Sequence, residues 1–363
     1  MEHQHNFAVI MAGGIGSRFW PMSRSGNPKQ FHDILGTGKT LIRMTYDRLL
    51  RIAPAENIYV VTNERYLDQV LEQLPGMDAQ RVLCEPFMRN TAPCIAYANA
   101  CIARRDPEAN IVVAPSDHLI TDEAGFIETL EVAIEETSNS TSLMTLGIKP
   151  SRPDTGYGYI QFEDNVPGSD DRIREVKTFT EKPQLELAQQ FVDSGEFYWN
   201  SGIFVWSLRN IDAAFDTHLS DMHKLFQDHA EDFGTAREKA AIAEIYGACE
   251  NISIDYGIME KADDVKVVLS DFGWSDLGTW GSLYTHLPQD DQGNGVVGKN
   301  VRAYQSANNV VYASDKKLIV LQGISECIVV DTEDALLICT KDDEQKIKSI
   351  VNDLKVNKGE RFV

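Results

Sequence analysis

The sequence predicts an α/β protein, a mostly parallel, doubly wound sheet followed by a small β-rich segment. Short apolar runs alternate with helical spacing through the first 150 residues, as βαβ units require. Beyond a polar, glycine-rich stretch at Pro288–Gly295, a plausible linker, the pattern changes to short strands broken by Asp, Asn and Gly. A glycine-rich loop directly follows the first apolar run, and open α/β sheets bind ligands there, outside the carboxyl ends of strands.

In the first part, Phe7–Ala12, Ile58–Thr62, Ile111–Ala114 and Leu143–Ile148 read as strands. Thr40–Arg51, Glu64–Leu74 and Phe126–Glu136 carry helical spacing between them. After residue 150 the alternation is less regular: a β run at Ile173–Phe179 is followed by Pro183 as a helix start, and Asn200 stands just before a strand. Amphipathic segments at about 210–228 and 235–248 carry no recognisable chemistry and read as helices covering the sheet. In the tail, Asn309–Tyr312, Leu318–Leu321, Glu326–Val330 and Ala335–Cys339 read as strands. Ile347, Ile350, Val351 and Leu354 then form one stripe of a final helix. The boundaries expected are a catalytic domain over 1–287 and a β-rich domain over 295–363. About 70 residues are marginal alone, so the smaller part is expected to pack on the larger or on a second subunit.

The loop Gly13-Gly14-Ile15-Gly16-Ser17-Arg18 lacks the G-K-[ST] ending of a Walker A motif. It also fails the dinucleotide fingerprint, because Phe19 stands where the last glycine belongs. Closely spaced glycines still let backbone N–H groups turn towards phosphate oxygens. Arg18 and Lys29 place positive charge beside them, which a plain turn does not need. Farther on, Glu85-Pro86-Phe87-Met88-Arg89-Asn90-Thr91-Ala92-Pro93 joins a strand to a helix, with Asn90 or Thr91 as cap and Pro93 in the first turn. Capping leaves Glu85 and Arg89 unexplained. Asp117 follows the Ile111–Ala114 strand, where it could cap the next helix or hold Mg²⁺ against substrate phosphates.

Net charge of −21 argues against a nucleic-acid surface, which needs a cationic footprint. Apolar content of 43% and charged content of 25% are those of a globular protein. There is no apolar run long enough for a bilayer and no secretory pattern at Met1–His5, so a cytoplasmic protein without membrane partners is expected. The six cysteines form no C-x-x-C pair and read as free thiols.

The pattern G-G-x-G-S-R-x-x-P-x-S…P-K-Q-F from Gly13 to Phe31 resembles the signature loop of sugar-nucleotide pyrophosphorylases, and more narrowly of mannose-1-phosphate guanylyltransferases. Five further segments resemble that family in order: E-P-x-x-R-N-T-A-P from Glu85, Pro115–His118, T-G-Y-G-Y from Thr155, E-K-P from Glu181, and W-x-D-x-G-T-W from Trp274. Ser253–Glu260 is similar as well, without a secure role for Asp255; His118 is equally unassigned.

The resemblance implies a Rossmann-like, GT-A-like nucleotidyltransferase domain with a β-helix-like tail used for homodimerisation. It implies GTP and mannose 1-phosphate as substrates, GDP-mannose and pyrophosphate as products, and Mg²⁺ as cofactor. Gly13, Gly14, Gly16, Ser17, Asn90 and Thr91 would bind nucleotide. Glu85, an acceptor carboxylate, suits the adjacent N1–H and N2–H₂ donors of guanine. Asp117 and Asp276 would converge on the metal. Arg18, Lys29 and Lys182 would offset phosphate charge. Gly158, Glu181 and Asn200 would meet the sugar, with the Asn200 amide able both to donate to and to accept from a hydroxyl. Another sugar or base, or a silent GDP-mannose-binding regulator, remains open on the sequence.

Overall fold

Asn6–Ala12 form the first strand, β1, and six of its seven residues are buried. A strand covered on both faces needs apolar side chains throughout rather than in alternation, hence the unbroken run from Phe7. The computed structural model describes residues 3–165 and 170–363, and these fall into two compact units. The first takes the described residues up to Gly13, Thr45–Ser116 and Ile120–Trp274; the second takes Gly14–Met44, Asp117–Leu119 and Ser275–Val363. Residues 14–44 therefore group with the tail, a division that sequence boundaries at 287 and 295 do not draw.

After β1 come α1 (Leu41–Leu49), β2 (Ile58–Asn63), α2 (Leu67–Gln73), β3 (Val82–Glu85), α3 (Thr91–Ala103), β4 (Asn110–Pro115), the short β5 (Leu119–Ile120), α4 (Glu123–Asn139) and β6 (Leu143–Ile148). Next are β7 (Gly158–Asn165), β8 (Ile173–Glu181), α5 (Leu185–Ser194), β9 (Phe197–Ser207), α6 (Leu208–His218), α7 (Ser220–Asp228), α8 (Glu238–Ala248), β10 (Val265–Ser270) and the short β11 (Trp274–Ser275). Nine of these strands make the sheet of the first unit, in the order β3-β2-β1-β4-β9-β6-β10-β8-β7.

The strands β3, β2, β1 and β4 run parallel, with Ala8 opposite Ile58 and Val9 opposite Val113. β6 and β10 are also parallel. β9 runs antiparallel to both β4 and β6, and β8 and β7 complete the sheet antiparallel. Four of the eight neighbouring pairs are thus parallel, so the sheet is mixed where regular alternation predicts a mostly parallel one. The cause lies after residue 150. Seven residues separate β7 from β8, too few for the crossover that a parallel pair needs.

Helix α3 shows how the sheet is covered. Its sequence TAPCIAYANACIA is rich in small residues, and nine of its thirteen are buried, seven of them in one core with Phe7, Val9, Val113 and Trp206. The segment expected as one helix at 210–228 is broken at Leu219, whose backbone (φ −134°, ψ 47°) leaves the helical region, giving α6 and α7. The carboxyl ends of β1, β3 and β4 bring Gly13, Glu85 and Ser116 to one edge of this sheet.

In the second unit, α9 (Trp280–Tyr284) is followed by β12 (Gly295–Val297), β13 (Val301–Tyr304), β14 (Val310–Ala313), β15 (Ile319–Gln322), β16 (Cys327–Asp331), β17 (Leu336–Thr340) and α10 (Ile347–Lys358). These strands stack as parallel rungs: Val301 lies opposite Ile319, Val310 opposite Ile328, and Gly295 opposite Val310. Buried asparagines tie successive rungs. Asn309 Nδ2 donates to Asn294 Oδ1 at 2.8 Å, and Asn309 Oδ1 accepts from the Cys327 N–H at 3.0 Å. β17 closes the stack antiparallel to β16. The linker expected at Pro288–Gly295 is an ordered turn, because Asp290 Oδ1 accepts the backbone N–H groups of Gln292 and Asn294. A separate core gathers Phe19, Trp20, Ile34, Trp280, Leu283, Val310, Ile328 and Ile347, so the early loop and the tail share one interior. Among the described residues, no helix is long and apolar enough to cross a membrane.

Candidate active site

At the edge of the first unit, Glu85 closes β3 with its side chain buried, 4% exposed. Burial pushes its carboxyl up to about 7, against the pull of the Tyr246 hydroxyl, which donates to Oε1 at 2.8 Å. The other oxygen, Oε2, faces Gly13, where an added Cβ would stand 3.6 Å away. Arg89 Nε donates to the Tyr246 carbonyl at 3.1 Å, which accounts for the residue that capping left unexplained. Asn90, in the left-handed region at φ 70°, caps α3 by accepting from the Thr91 N–H. The Thr91 hydroxyl accepts from the Ile254 N–H at 2.8 Å.

A second group lies wholly within the other unit. Gly16 is left-handed (φ 71°) and opens the tight turn Ser17–Phe19; a Cβ there would meet the Lys29 Cβ at 2.7 Å, so only glycine fits. Gly14 faces open space. Lys29 is 3% exposed. All three hydrogens of its ammonium have acceptors: Asp117 Oδ2 at 2.8 Å, the Asp276 carbonyl at 2.8 Å and the Leu277 carbonyl at 2.9 Å. Burial pushes the Asp117 carboxyl up, but Lys29 and His118 outweigh it and hold the group below its ordinary value. Asp276 Oδ1 accepts the Gly278 N–H at 3.0 Å. The Arg18 side chain, half-buried, makes no ion pair or hydrogen bond among the described residues. The two cations of the loop differ in kind. Lys29 spends its three donors on Asp117 and the 276–277 backbone, whereas no Arg18 donor is bonded among the described residues.

The remaining residues gather in the first unit. Lys182, left-handed at φ 48°, pairs with Glu181 at 2.5 Å. Burial draws the Lys182 ammonium down, and Glu181 and Asp255 more than restore it. Gly158 lies opposite Glu181 in the β7–β8 register, and a Cβ at Gly158 would clash with Glu181 Oε2. Asn200 lies inside β9 rather than before it. Its Oδ1 accepts from the Thr145 hydroxyl at 2.8 Å, at an irregularity in the β6–β9 pairing, and its Nδ2 donates to Asp255 at 2.8 Å. The second Asn200 Nδ2 hydrogen has no acceptor among the described residues.

Asp255 opens a π-helical turn, Asp255–Met259. Burial and the nearby Glu181 push its carboxyl up to about 6. Neither Asp255 nor Tyr246 is assigned from sequence. The D-Y-G-I-M-E segment offers a weak signal for the first, while Tyr246 sits in an amphipathic helix whose periodicity says nothing of a buried hydroxyl.

No cluster of three or more His, Cys, Asp or Glu suited to a metal exists among the described residues. Lys29 bonds Asp117 by its carboxylate and Asp276 by its backbone carbonyl, so one ammonium ties the two aspartates; a divalent cation takes one or two carboxylates and completes its shell with phosphate and water.

A family model described as nucleotidyl transferase matches residues 7–293, and one described as the MannoseP isomerase/GMP-like beta-helix domain matches 299–354. The mannose-1-phosphate guanylyltransferase of Escherichia coli strain K12 is 36% identical to this chain, over 98% of it and 75% of that protein. The xanthan biosynthesis protein XanB of Xanthomonas campestris strain B100 is 37% identical, over 96% of this chain and 73% of its own. A solved structure from Thermus thermophilus, described as a mannose-1-phosphate geranyltransferase, is 31% identical with a TM-score of 0.87, covering 97% of this chain and all of that one. Nucleotidyltransferases of this family generally work with a divalent metal.

Proposed function

Because the chain belongs to the nucleotidyl transferase family, we infer how its residues carry the reaction for which its guanylyltransferase relatives are named. It transfers a guanylyl group from GTP to mannose 1-phosphate, giving GDP-mannose and pyrophosphate. The observation that carries the choice of base is Glu85: a buried carboxylate with one oxygen bound and the other turned to the first glycine of the loop. An acceptor-only group suits N1–H and N2–H₂ of guanine and repels the acceptor edge of adenine.

A phosphate oxygen of mannose 1-phosphate attacks the α-phosphorus of GTP in line. The bond from that phosphorus to the bridging oxygen breaks, and pyrophosphate leaves. The attacking oxygen is already anionic at neutral pH, so the chemistry asks for alignment and charge stabilisation rather than a base. Arg18 supports that role through its unused donors, alongside N–H groups of Gly14, Gly16 and Ser17. Lys29 acts through Asp117 and the 276–277 backbone, holding both in place. Asp117 and Asp276 would hold the divalent ion, Mg²⁺ in this reading, whose charge would polarise the phosphate oxygens. Lys182 offsets the charge of the sugar phosphate. Glu181, Asp255 and the remaining Asn200 N–H present acceptors and a donor to sugar hydroxyls, with Gly158 giving them room.

Residues 1–287 would make the catalytic domain, and 295–363 would serve homodimerisation. Exposed Leu318, just before β15, with Val320, Leu336 and Ile338 on the strands, supports an apolar meeting surface. The reaction is assigned to the cytoplasm, where GTP is supplied.

The test pairs the purified protein and Mg²⁺ with each of GTP, ATP, UTP and dTTP, and with mannose 1-phosphate or glucose 1-phosphate, following pyrophosphate release. Release chiefly with GTP and mannose 1-phosphate is expected. Silence in every pair, from folded protein that still binds GDP-mannose, would replace catalysis with a regulatory role.

A further inference from the structure

Helix α8 covers the sheet, yet one of its residues reaches into the base-reading loop twice. The Tyr246 hydroxyl donates to Glu85 Oε1 at 2.8 Å, and the Tyr246 carbonyl accepts from Arg89 Nε at 3.1 Å. Residues 85 and 89 are the two ends of the loop that links β3 to α3. A single residue, itself fully buried, thus fastens both ends of that loop from 157 to 161 residues away.

We propose that Tyr246 is the positioning residue for base selection: its hydroxyl fixes the Glu85 carboxylate so that Oε2 alone is turned towards Gly13 and the guanine edge. This rests on the assignment of Glu85 as the guanine reader. A carboxylate hinged on a buried side chain has a broad terminal torsion, so without a bond to Oε1 the plane of acceptors is not set. The hydroxyl also favours the ionised form, the one with acceptors only.

The ionisable groups that face Glu85 are Tyr246 from α8 and Cys94 from α3. Burial pushes both well above their ordinary values, so neither carries charge near neutrality, and of these three groups Glu85 alone titrates there; a limb that moves in Tyr246→Phe and is absent in Glu85→Gln, with the same nucleotide, reports Glu85. Tyr97, near Tyr246, is raised by burial as well.

The experiment measures kcat and KM for GTP, ITP and ATP from about pH 5.5 to about 9 in wild type, Glu85→Gln and Tyr246→Phe, a range that brackets the titration of a raised carboxylate. ITP keeps N1–H and lacks the 2-amino group, so the GTP-to-ITP ratio reads the alignment of the carboxylate with both donors. Tyr246→Phe is expected to raise KM for GTP about tenfold, with kcat within about threefold, since one hydrogen bond to a charged acceptor is lost. The GTP-to-ITP ratio should fall several-fold, and the acid limb of 1/KM should move up by about one pH unit. A purely structural tyrosine would lower the melting temperature and leave that ratio and limb where they were. That result, with Glu85→Gln still losing selectivity, overturns the role of Tyr246 and spares that of Glu85. Unchanged selectivity in Glu85→Gln overturns both. Should Tyr246→Phe fold poorly, 3-fluorotyrosine placed at 246 keeps the shape and donates more strongly. The acid limb should then move down, and an unmoved limb overturns the proposal.

Discussion

Replacing Lys29 by methionine keeps the stem packed and deletes the ammonium, which leaves three acceptors without their donor. Removing one partner of a buried ion pair costs about 3–5 kcal/mol. The Asp117 side chain is 29% exposed, so water recovers part of that, while two carbonyls each add about 1 kcal/mol. The net expectation is about 3 kcal/mol. At a urea dependence of about 3 kcal/mol/M the unfolding midpoint of this variant falls by about 1 M. Turnover should fall with it, because Asp117 and the Asp276 backbone lose their common fixture. Restoring neutrality with Asp117→Asn in the same chain should regain more than about 1 kcal/mol of the loss, the coupling expected of residues in contact. Lys29→Arg should not rescue, because a planar fork cannot bring three donors to one point. A midpoint within about 0.3 M of wild type, with near-normal turnover, would refute the view that Lys29 is spent on the protein, since a single lost hydrogen bond already exceeds that shift.

The remaining expectations separate roles that sequence lumps together. Arg18→Ala should leave stability within about 0.5 kcal/mol, as for a surface change without partners, while lowering turnover by about 10²-fold or more in the pyrophosphate assay; a large loss of stability would make Arg18 structural. Asp276→Asn should cost about 10²-fold in turnover at saturating Mg²⁺, and near-normal turnover would remove it from the metal site. Glu85 gives a stability signature without substrate. Its folded carboxyl stands at about 7 against an ordinary 4.5, so the unfolded chain releases its proton first as pH rises. The contribution is complete below about pH 4.5 and is lost as pH rises through about 7, on the order of 3 kcal/mol. Glu85→Gln should flatten that slope in urea midpoints taken at about pH 5 and about pH 8, and a slope as steep as wild type would assign the titration elsewhere.

The strands β1, β2, β4 and β6 are legible to within a residue or so, because two-sided burial writes a continuous apolar run. β10 is missed: Val265–Ser270 mixes Lys266 into its run, and Lys266 reaches Glu136 at 2.6 Å. The tail carries no sequence repeat because its rungs are matched in backbone register, Val310 opposite Ile328 and Val301 opposite Ile319, rather than in residue identity. Motifs find Lys29 and Asp117, but no spacing rule reveals that one is bonded to the other. Tyr246 is hidden for the same reason: amphipathic periodicity marks the inward face of a helix and does not say which hydroxyl meets which carboxylate.

The sharing of one interior by residues 14–44 and the tail also sets an order of assembly. Trp20 Nε1 donates to the Phe362 carbonyl at 2.6 Å, Arg24 grips Asp334 with two nitrogens, and the Gly281 N–H rests on Glu344. Trp20 leaves the ribosome 342 residues ahead of Phe362. At about 5–20 residues per second the glycine loop waits tens of seconds for its supports. A nascent chain that already has its nine-stranded sheet therefore still has an unfinished glycine loop, whose supports are complete only once the residues around 334–362 have been made.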